Sequence, residues 1–600
     1  MHFRPALMVD AVYYSDDELT GGNWSVGAYM SLPLDLSALA SGGNPFSGAR
    51  DRWEAIGGQD DMRHRLADMV RRDPQIRSRA DQPEERKELR TVSVRSKTSE
   101  SVEVLEYLTH ELATGITFVD GSSGDDGNPG TYEEPKQTVQ GGVDAANSPV
   151  WVWASEQPYE ENVVVTEGVG LYGEAFQLVG MDGRVWGGGA HPVIVGQAEA
   201  PTIEIAGDNV TVSGFEVRHS LPAGVGLDGG GAASAAFDGI AGHNITNVEV
   251  SRNVMIDGSL RHGISLTADA AGPDFQARVL DNHVRNTGDH ALQVQSSRVA
   301  ADTFHIEVSG VYSDSGRNGV YIDAFGYNHS KAELFDITVN GNSHRGLHSY
   351  LRPFEDVEGG TMQISARNIM ARDNASLGIG LFTTVRGKDC YTSVLGENLE
   401  AHNNNGVGIS AQGTARSGSA FVQLINVVSN NNTSTGISLR GRATLDDSGD
   451  NLVVLRNVTA NHNATSGLVL GFSESEGGDS IFLGENITAN HNEQYGFRYI
   501  RVSAQGLAVV DMQNIELNYN MIGGYEEVEV VSQGSDAHAL LKNITATNNQ
   551  QYGMRTLRVD AAEDAFVNFV DSDLRDNVLG AWETREFTGS EVHENIDILE

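Results

Sequence analysis

The chain has 600 residues, a formal net charge of -41, 69 glycines and a single cysteine. That length with so few aromatic and apolar residues describes an extended array of repeats around a thin core, and excludes one large spherical core. The charge argues against nucleic acid and anionic lipid as partners, and the lone Cys390 leaves neither a disulfide framework nor a cysteine metal site.

Taken in chain order, residues 6–15 (ALMVDAVYYS) and 24–34 (WSVGAYMSLPL) are β-rich and joined by an Asp/Gly/Asn turn, which predicts a hairpin within residues 1–40. In the second segment Trp24, Val26, Ala28, Met30 and Leu32 alternate with Ser25, Gly27, Tyr29 and Ser31, so the strand has two different faces. An outer-membrane barrel strand shows this alternation, and so does a soluble hairpin. Residues 41–115 read as a partly helical, charged linker. Within it Met62, Leu66, Met69 and Val70 stand at helical spacing, Pro74 ends the helix, and residues 73–101 lack apolar periodicity.

The stretch SLPLDLSALASGGNPFSGARDRW, with PQIRSR after it, resembles the segment beyond the last barrel strand of inverse autotransporters, the intimin and invasin class. The resemblance implies an outer membrane on the N-terminal side, an exported C-terminal passenger, and an extracellular or cell-surface location. One hairpin is far short of the roughly eight strands that close a barrel, so a barrel and a targeting signal are expected outside this sequence.

Residues 116–600 form the main domain. Phe118-Val119-Asp120 opens a strand, GSSGDDGNPG is a loop, and Val139 and Val143 share one face of a short helix placed to cover the open end of a repeat array. This order, continued by VWVWASEQPYEENVVV and GVGLYG, resembles the N-terminal coil of pectate-lyase-like β-helix proteins, with Tyr159-Glu160-Glu161-Asn162 matching the family's Tyr-x-Glu-Asn turn. Asp120, Asp125 and Asp126 are candidate ligands for calcium, the one cofactor the sequence suggests, although their spacing is not that of an EF-hand and a plain solvated turn is the simpler reading.

The repeat carries the fold. Asn457-Val-Thr-Ala-Asn461-His-Asn463 recurs as Asn486-Ile-Thr-Ala-Asn490-His-Asn492 and again from Asn543, with weaker copies at Asn368, Asn398, Asn426 and Asn514. After each comes a small residue and then an apolar one, as in Gly263-Ile264, Gly319-Val320, Gly436-Ile437 and Gly467-Leu468, at intervals of about 27 to 32 residues. Inside each unit the apolar residues alternate at period two (Ile264 and Leu266, Leu292 and Val294, Ile437 and Leu439), which excludes helical repeats. The expectation is an all-β, right-handed parallel β-helix of about a dozen coils, its asparagines stacked in hydrogen-bonded ladders and its turn glycines supplying a positive φ.

Aligned on the turn glycine, four coils carry charged groups just before it: Arg261-His262, Asp289-His290, Arg317-Asn318 and His344-Arg345. Outward positions after the turn bring Ser265, Gln293, Tyr321 and His348 into one row and Gln295, Asp323 and Tyr350 into the next. Asp289, His290, Asp323, Arg345 and His348 are the candidate catalytic residues. Arg261, His262, Gln293, Arg317, Tyr321, His344 and Tyr350 are the candidate ligand-binding ones. The Asn-x-Asp, Asp-Asp, Gly-His-Gly and Arg-Ile-Lys set of polygalacturonases is absent, as are pectate-lyase signatures. The reading is an exported surface passenger acting as an adhesin or polysaccharide-binding stalk, with a secreted polysaccharide lyase or glycoside hydrolase as the alternative.

Overall fold

Every second residue of a strand faces one way, so a repeat with strict alternation can bury one face of each strand only by stacking copies of itself. The computed structural model has that form. It describes residues 7–14, 23–30 and 116–599, except 147–148, 177, 180–184, 198, 221–236, 256–259, 270–273, 354–355, 357 and 445–448. The chain divides into two units, Met1–Glu88 and Leu89–Glu600. In the first, β1 (Leu7–Tyr14) pairs antiparallel with β2 (Asn23–Met30), the expected hairpin, with Ala11 opposite Val26. The helix expected over 61–72, the linker and the stretch resembling autotransporters lie outside the described residues.

The second unit is a parallel β-solenoid. On one face, here the first face, fifteen strands stack in parallel from Val163–Val165 to Gly580–Thr588 and number coils 1 to 15. The count exceeds the expected dozen because the first coils are irregular: 40 residues separate Val163 from its partner Ile203, and 37 separate Ile203 from Ile240. An inner row of fully buried residues runs up this face through Ile240, Ile264, Leu292, Val320, Leu347 and Ile379. Each such side chain contributes about 1.5–3 kcal/mol of burial free energy, which is how a thin core suffices over this length.

Two asparagine ladders hold the corners. The marks read from the sequence form the exposed one, Asn543 donating to Asn514, then to Asn486, Asn457, Asn426, Asn398 and Asn368, at 2.8 to 3.1 Å. These residues themselves hold the left-handed backbone, φ 52–58°. Asparagine tolerates it because its short amide bonds locally. The turn glycines Gly263, Gly346, Gly436 and Gly467 are not at positive φ, contrary to expectation. They are there for space: a Cβ on Gly263 would lie 2.2 Å from Val284 Cγ1, and one on Gly436 2.6 Å from Asn463 Nδ2. The second ladder is buried and runs Asn342, Asn374, Asn404, Asn432, Asn463, Asn492, Asn520 and Asn549, each amide donating to the next carbonyl oxygen.

The first end is closed by α1 (Val139–Ala145), which buries Val139 and Val143 as expected. Glu161 caps it by accepting from Val139 N and Gln140 N at 2.8 and 2.9 Å. Tyr159 beside it accepts from Gly121 N and donates to the Trp153 carbonyl. The acidic loop is part of the same cap. Asp126 accepts from Gln137 N, Thr138 N and Thr138 Oγ1, Asp125 accepts from Gly127 N, and Asp120 accepts from Ser122 N and Ser123 Oγ. The three carboxylates do not converge on a common point. Burial pushes the Asp126 carboxyl up, but the Thr138 and Gln137 hydrogen bonds outweigh it and hold the group below its usual value of 3.8. A depressed carboxyl stabilises the fold above its unfolded pKa and releases that stability as pH falls through the folded one. Asp126→Ala is therefore expected to speed amide exchange across α1 at neutral pH and to leave it unchanged below the folded pKa. Equal exchange at neutral pH would remove Asp126 from the cap.

Candidate functional site

Stacking in register fixes which side chains meet. Backbone bonds run from Arg261 N to Phe237 O, Asp289 N to Arg261 O, Arg317 N to Asp289 O and His344 N to Arg317 O, so the charged row expected before the turn exists as one continuous file over coils 4 to 7. The outward row Ser265, Gln293, Tyr321, His348 and the row Gln295, Asp323, Tyr350 are likewise register partners. Arg261, His262, Asp289, His290, Gln293, Arg317 and Tyr321 line one open groove of about 900 Å³. His344, Arg345 and His348 continue its wall on coil 7, and Asp323 and Tyr350 stand farther along the strands.

Asp238 was not singled out from the sequence and is the groove's foundation. Its carboxylate is buried and meets the Arg261 guanidinium edge-on, Nε to Oδ1 at 3.0 Å and Nη2 to Oδ2 at 2.9 Å. It also accepts from His262 N. Burial raises its pKa against the opposing pull of Arg261. The signal was present in Asp238-Gly239-Ile240, which has the same turn register as His262-Gly263-Ile264. Glu199, Glu204 and His243, which also line the groove, carried no such mark.

The aromatic side chains form a column. His262 and His290 stack at 5.3 Å, His290 and Tyr321 at 5.0 Å, Tyr321 and His348 at 5.4 Å, and Phe382 comes next at 5.3 Å. Hydrogen bonds set the histidine tautomers. His262 Nδ1 accepts from His290 N, and His348 Nδ1 accepts from Arg345 Nη1 at 3.0 Å. Asn318 Oδ1 accepts from Arg345 N, with His344 Nδ1 3.2 Å away, which directs its amide nitrogen onto His290 Nδ1. All three rings therefore carry their proton on Nε2. Burial and then the nearby arginines push His290 and His348 down to about 3 and His262 well below its ordinary value. At neutral pH these rings are uncharged donors. The 3.7 Å approach of His290 Nε2 to Asp289 Oδ1 is accordingly no ion pair.

Asp289 stands between Arg261 and Arg317, and burial raises its carboxyl against both guanidiniums. Burial also raises Tyr321, whose hydroxyl lies 3.3 Å from Asp323 Oδ2. Asp323 belongs to Arg352, at 3.3 Å. It sits one coil above Asp289 and six positions farther along the face, roughly 15–20 Å at strand rise. Paired glycosidase carboxyls stand about 5–9.5 Å apart, so the structure does not assemble Asp289 and Asp323 into such a pair.

No family model and no curated protein matches this sequence. Among solved structures, the A-module of the Azotobacter vinelandii mannuronan C-5 epimerase AlgE4 aligns at 15% identity over 59% of this chain and 91% of its own, with a TM-score of 0.36. The Dettilon tailspike protein aligns at 10% identity over 66% and 73%, TM-score 0.33, and the Eubacterium ramulus lacto-N-biosidase at 11% over 67% of each chain, TM-score 0.28. Likenesses this distant assign no family and no activity to the chain.

Proposed function

We propose that the groove binds an acidic polysaccharide, and that the chain serves as an exported surface adhesin or binding stalk. One observation carries this reading: in a chain of net charge -41, two guanidiniums stand in the file of charged groups that lines the groove. Arg261 is fixed there by a buried carboxylate. Arg317 is exposed, and among the described residues it meets no carboxylate within ion-pair distance. Guanidinium forks fit carboxylate and sulfate groups, while neutral Nε2–H donors and the Tyr321 hydroxyl suit sugar hydroxyls. The long, open groove on a rigid stack suits a polymer. The surface location rests on the N-terminal resemblance, and an upstream coding sequence for further barrel strands would support it.

The second reading, eliminative cleavage of a uronate polymer, is favoured by the raised Asp289 carboxyl beside protonated His290 Nε2. Asp289 would take the proton next to the uronate carboxylate. The C–H electrons would form the double bond as the glycosidic C–O bond breaks, and His290 or Tyr321 would protonate the leaving oxygen.

Titration of the full chain with polyuronates, sulfated glycans and a neutral glucan tests both readings. Saturable binding of acidic glycans alone is expected, weakened about tenfold by Arg317→Gln, the loss of one charge-assisted contact. Equal binding of the neutral glucan would overturn the proposal, and unsaturated products lost in Asp289→Ala would favour the lyase.

A further inference from the structure

Several arginines elsewhere on the first face are matched to acids of adjacent coils. Arg498 meets Glu526 at 2.8 Å, Arg558 meets Glu529 at 3.0 Å, and Arg442 meets Glu474 at 2.7 Å. Coils 8 and 9 break this pattern. Arg386 and Arg416 are direct register partners at the end of the face, both are exposed, and neither meets a carboxylate among the described residues. Lys388 is exposed beside them, and Asp389 makes no ion pair with either arginine. Like charges directly opposite in a ladder, about 4.8 Å apart, destabilise it. In a chain with 82 acidic and 41 basic residues, a pair that meets no carboxylate among the described residues marks a place for an external anion.

Apolar surface connects this corner with the groove. Tyr350 and Phe382 are register partners on the outward face of coils 7 and 8, edge to face at 6.2 Å. We propose that Arg386 and Arg416 are a second anion subsite, which holds distal carboxylate or sulfate groups of the same acidic polysaccharide whose other part lies between Arg261 and Arg317. The chain crosses Tyr350 and Phe382 on the way. Three coils and about ten strand positions separate Arg317 from Arg416, a span on the order of 30 Å. Once the groove is occupied, the second contact becomes intramolecular, so it strengthens long chains and leaves short ones unaffected.

This inference rests on the groove reading, and the experiment separates the two. The full chain and the double variant Arg386→Gln/Arg416→Gln are titrated with size-fractionated polyuronate and with sulfated glycan at low salt. The wild type is expected to bind long chains better than trisaccharides. The double variant is expected to bind trisaccharides as the wild type does, and to lose about tenfold for long chains, two exposed cation contacts of ~0.7 kcal/mol each. Which acidic series shows the length effect identifies the anionic group. Unchanged long-chain affinity in the double variant overturns the second subsite alone. Absence of trisaccharide and polymer binding in the wild type overturns the groove and with it this proposal. A matching loss for single-stranded DNA but not for glycans would assign the corner to another polyanion and overturn it as well.

Discussion

Alanine at Asn404 is expected to lower the stability of the central coils by about 3 kcal/mol, the cost of stranding two buried donors. Asn404 Oδ1 accepts from Asn374 N and Asn374 Nδ2, at 3.2 and 2.8 Å, and its own amide donates to Ala371 O and Asn432 Oδ1. Removing it leaves Asn374 N and one Nδ2 hydrogen of Asn374 without an acceptor, the other hydrogen staying on Val339 O, in a site that excludes water. Asn457→Ala supplies the internal comparison. Asn457 belongs to the exposed ladder, where solvent replaces the lost bonds and the main cost is the left-handed backbone (φ 54°), about 1–2 kcal/mol. Stacked repeats unfold in parts, so the measurement is native-state amide exchange resolved over coils 7 to 10. Equal effects of the two substitutions would mean that the buried ladder is no more than the exposed one, a register mark.

Asp238→Ala is expected to cost about 3–5 kcal/mol, because it removes the buried carboxylate that the partly buried Arg261 guanidinium meets edge-on. The side chain of Asp238 is 2% exposed and that of Arg261 22%. In the variant the guanidinium recovers little solvation where it stands, which favours an outward swing of Arg261. The fork that the groove presents to a ligand anion is then lost as well. Asp238→Asn keeps an oxygen for His262 N and for one guanidinium N–H, and should fall between wild type and alanine in both stability and acidic-glycan affinity. Denaturant unfolding and glycan titration of the same preparations decide the point. Wild-type behaviour of Asp238→Ala in both would show that Arg261 is positioned without it.

The repeat was legible because stacking turns equivalent positions into contacts. Once Gly263, Gly319 and Gly436 are aligned, the row of Arg261, Asp289, Arg317 and His344 and the row of Gln293, Tyr321 and His348 emerge with no further information. For the same reason the residues of the two candidate rows stand as register partners. Asp238 escaped notice because the irregular early coils break the period just ahead of it. Sequence by itself also could not say that the three loop aspartates accept from backbone N–H groups of a cap, or that Asp323 is engaged by Arg352.

The amino-acid order by itself therefore determined the architecture and the register: period-two alternation inside a period near thirty has one way to bury its apolar face. Only the tertiary structure decided the state of each group in the groove. Charge, tautomer and availability depend on burial and on hydrogen-bond partners in neighbouring coils, close in space and tens of residues away in sequence. His290 as a neutral donor, Asp289 as a raised carboxyl and Arg386 opposite Arg416 are properties of such neighbourhoods, which no spacing along the chain encodes.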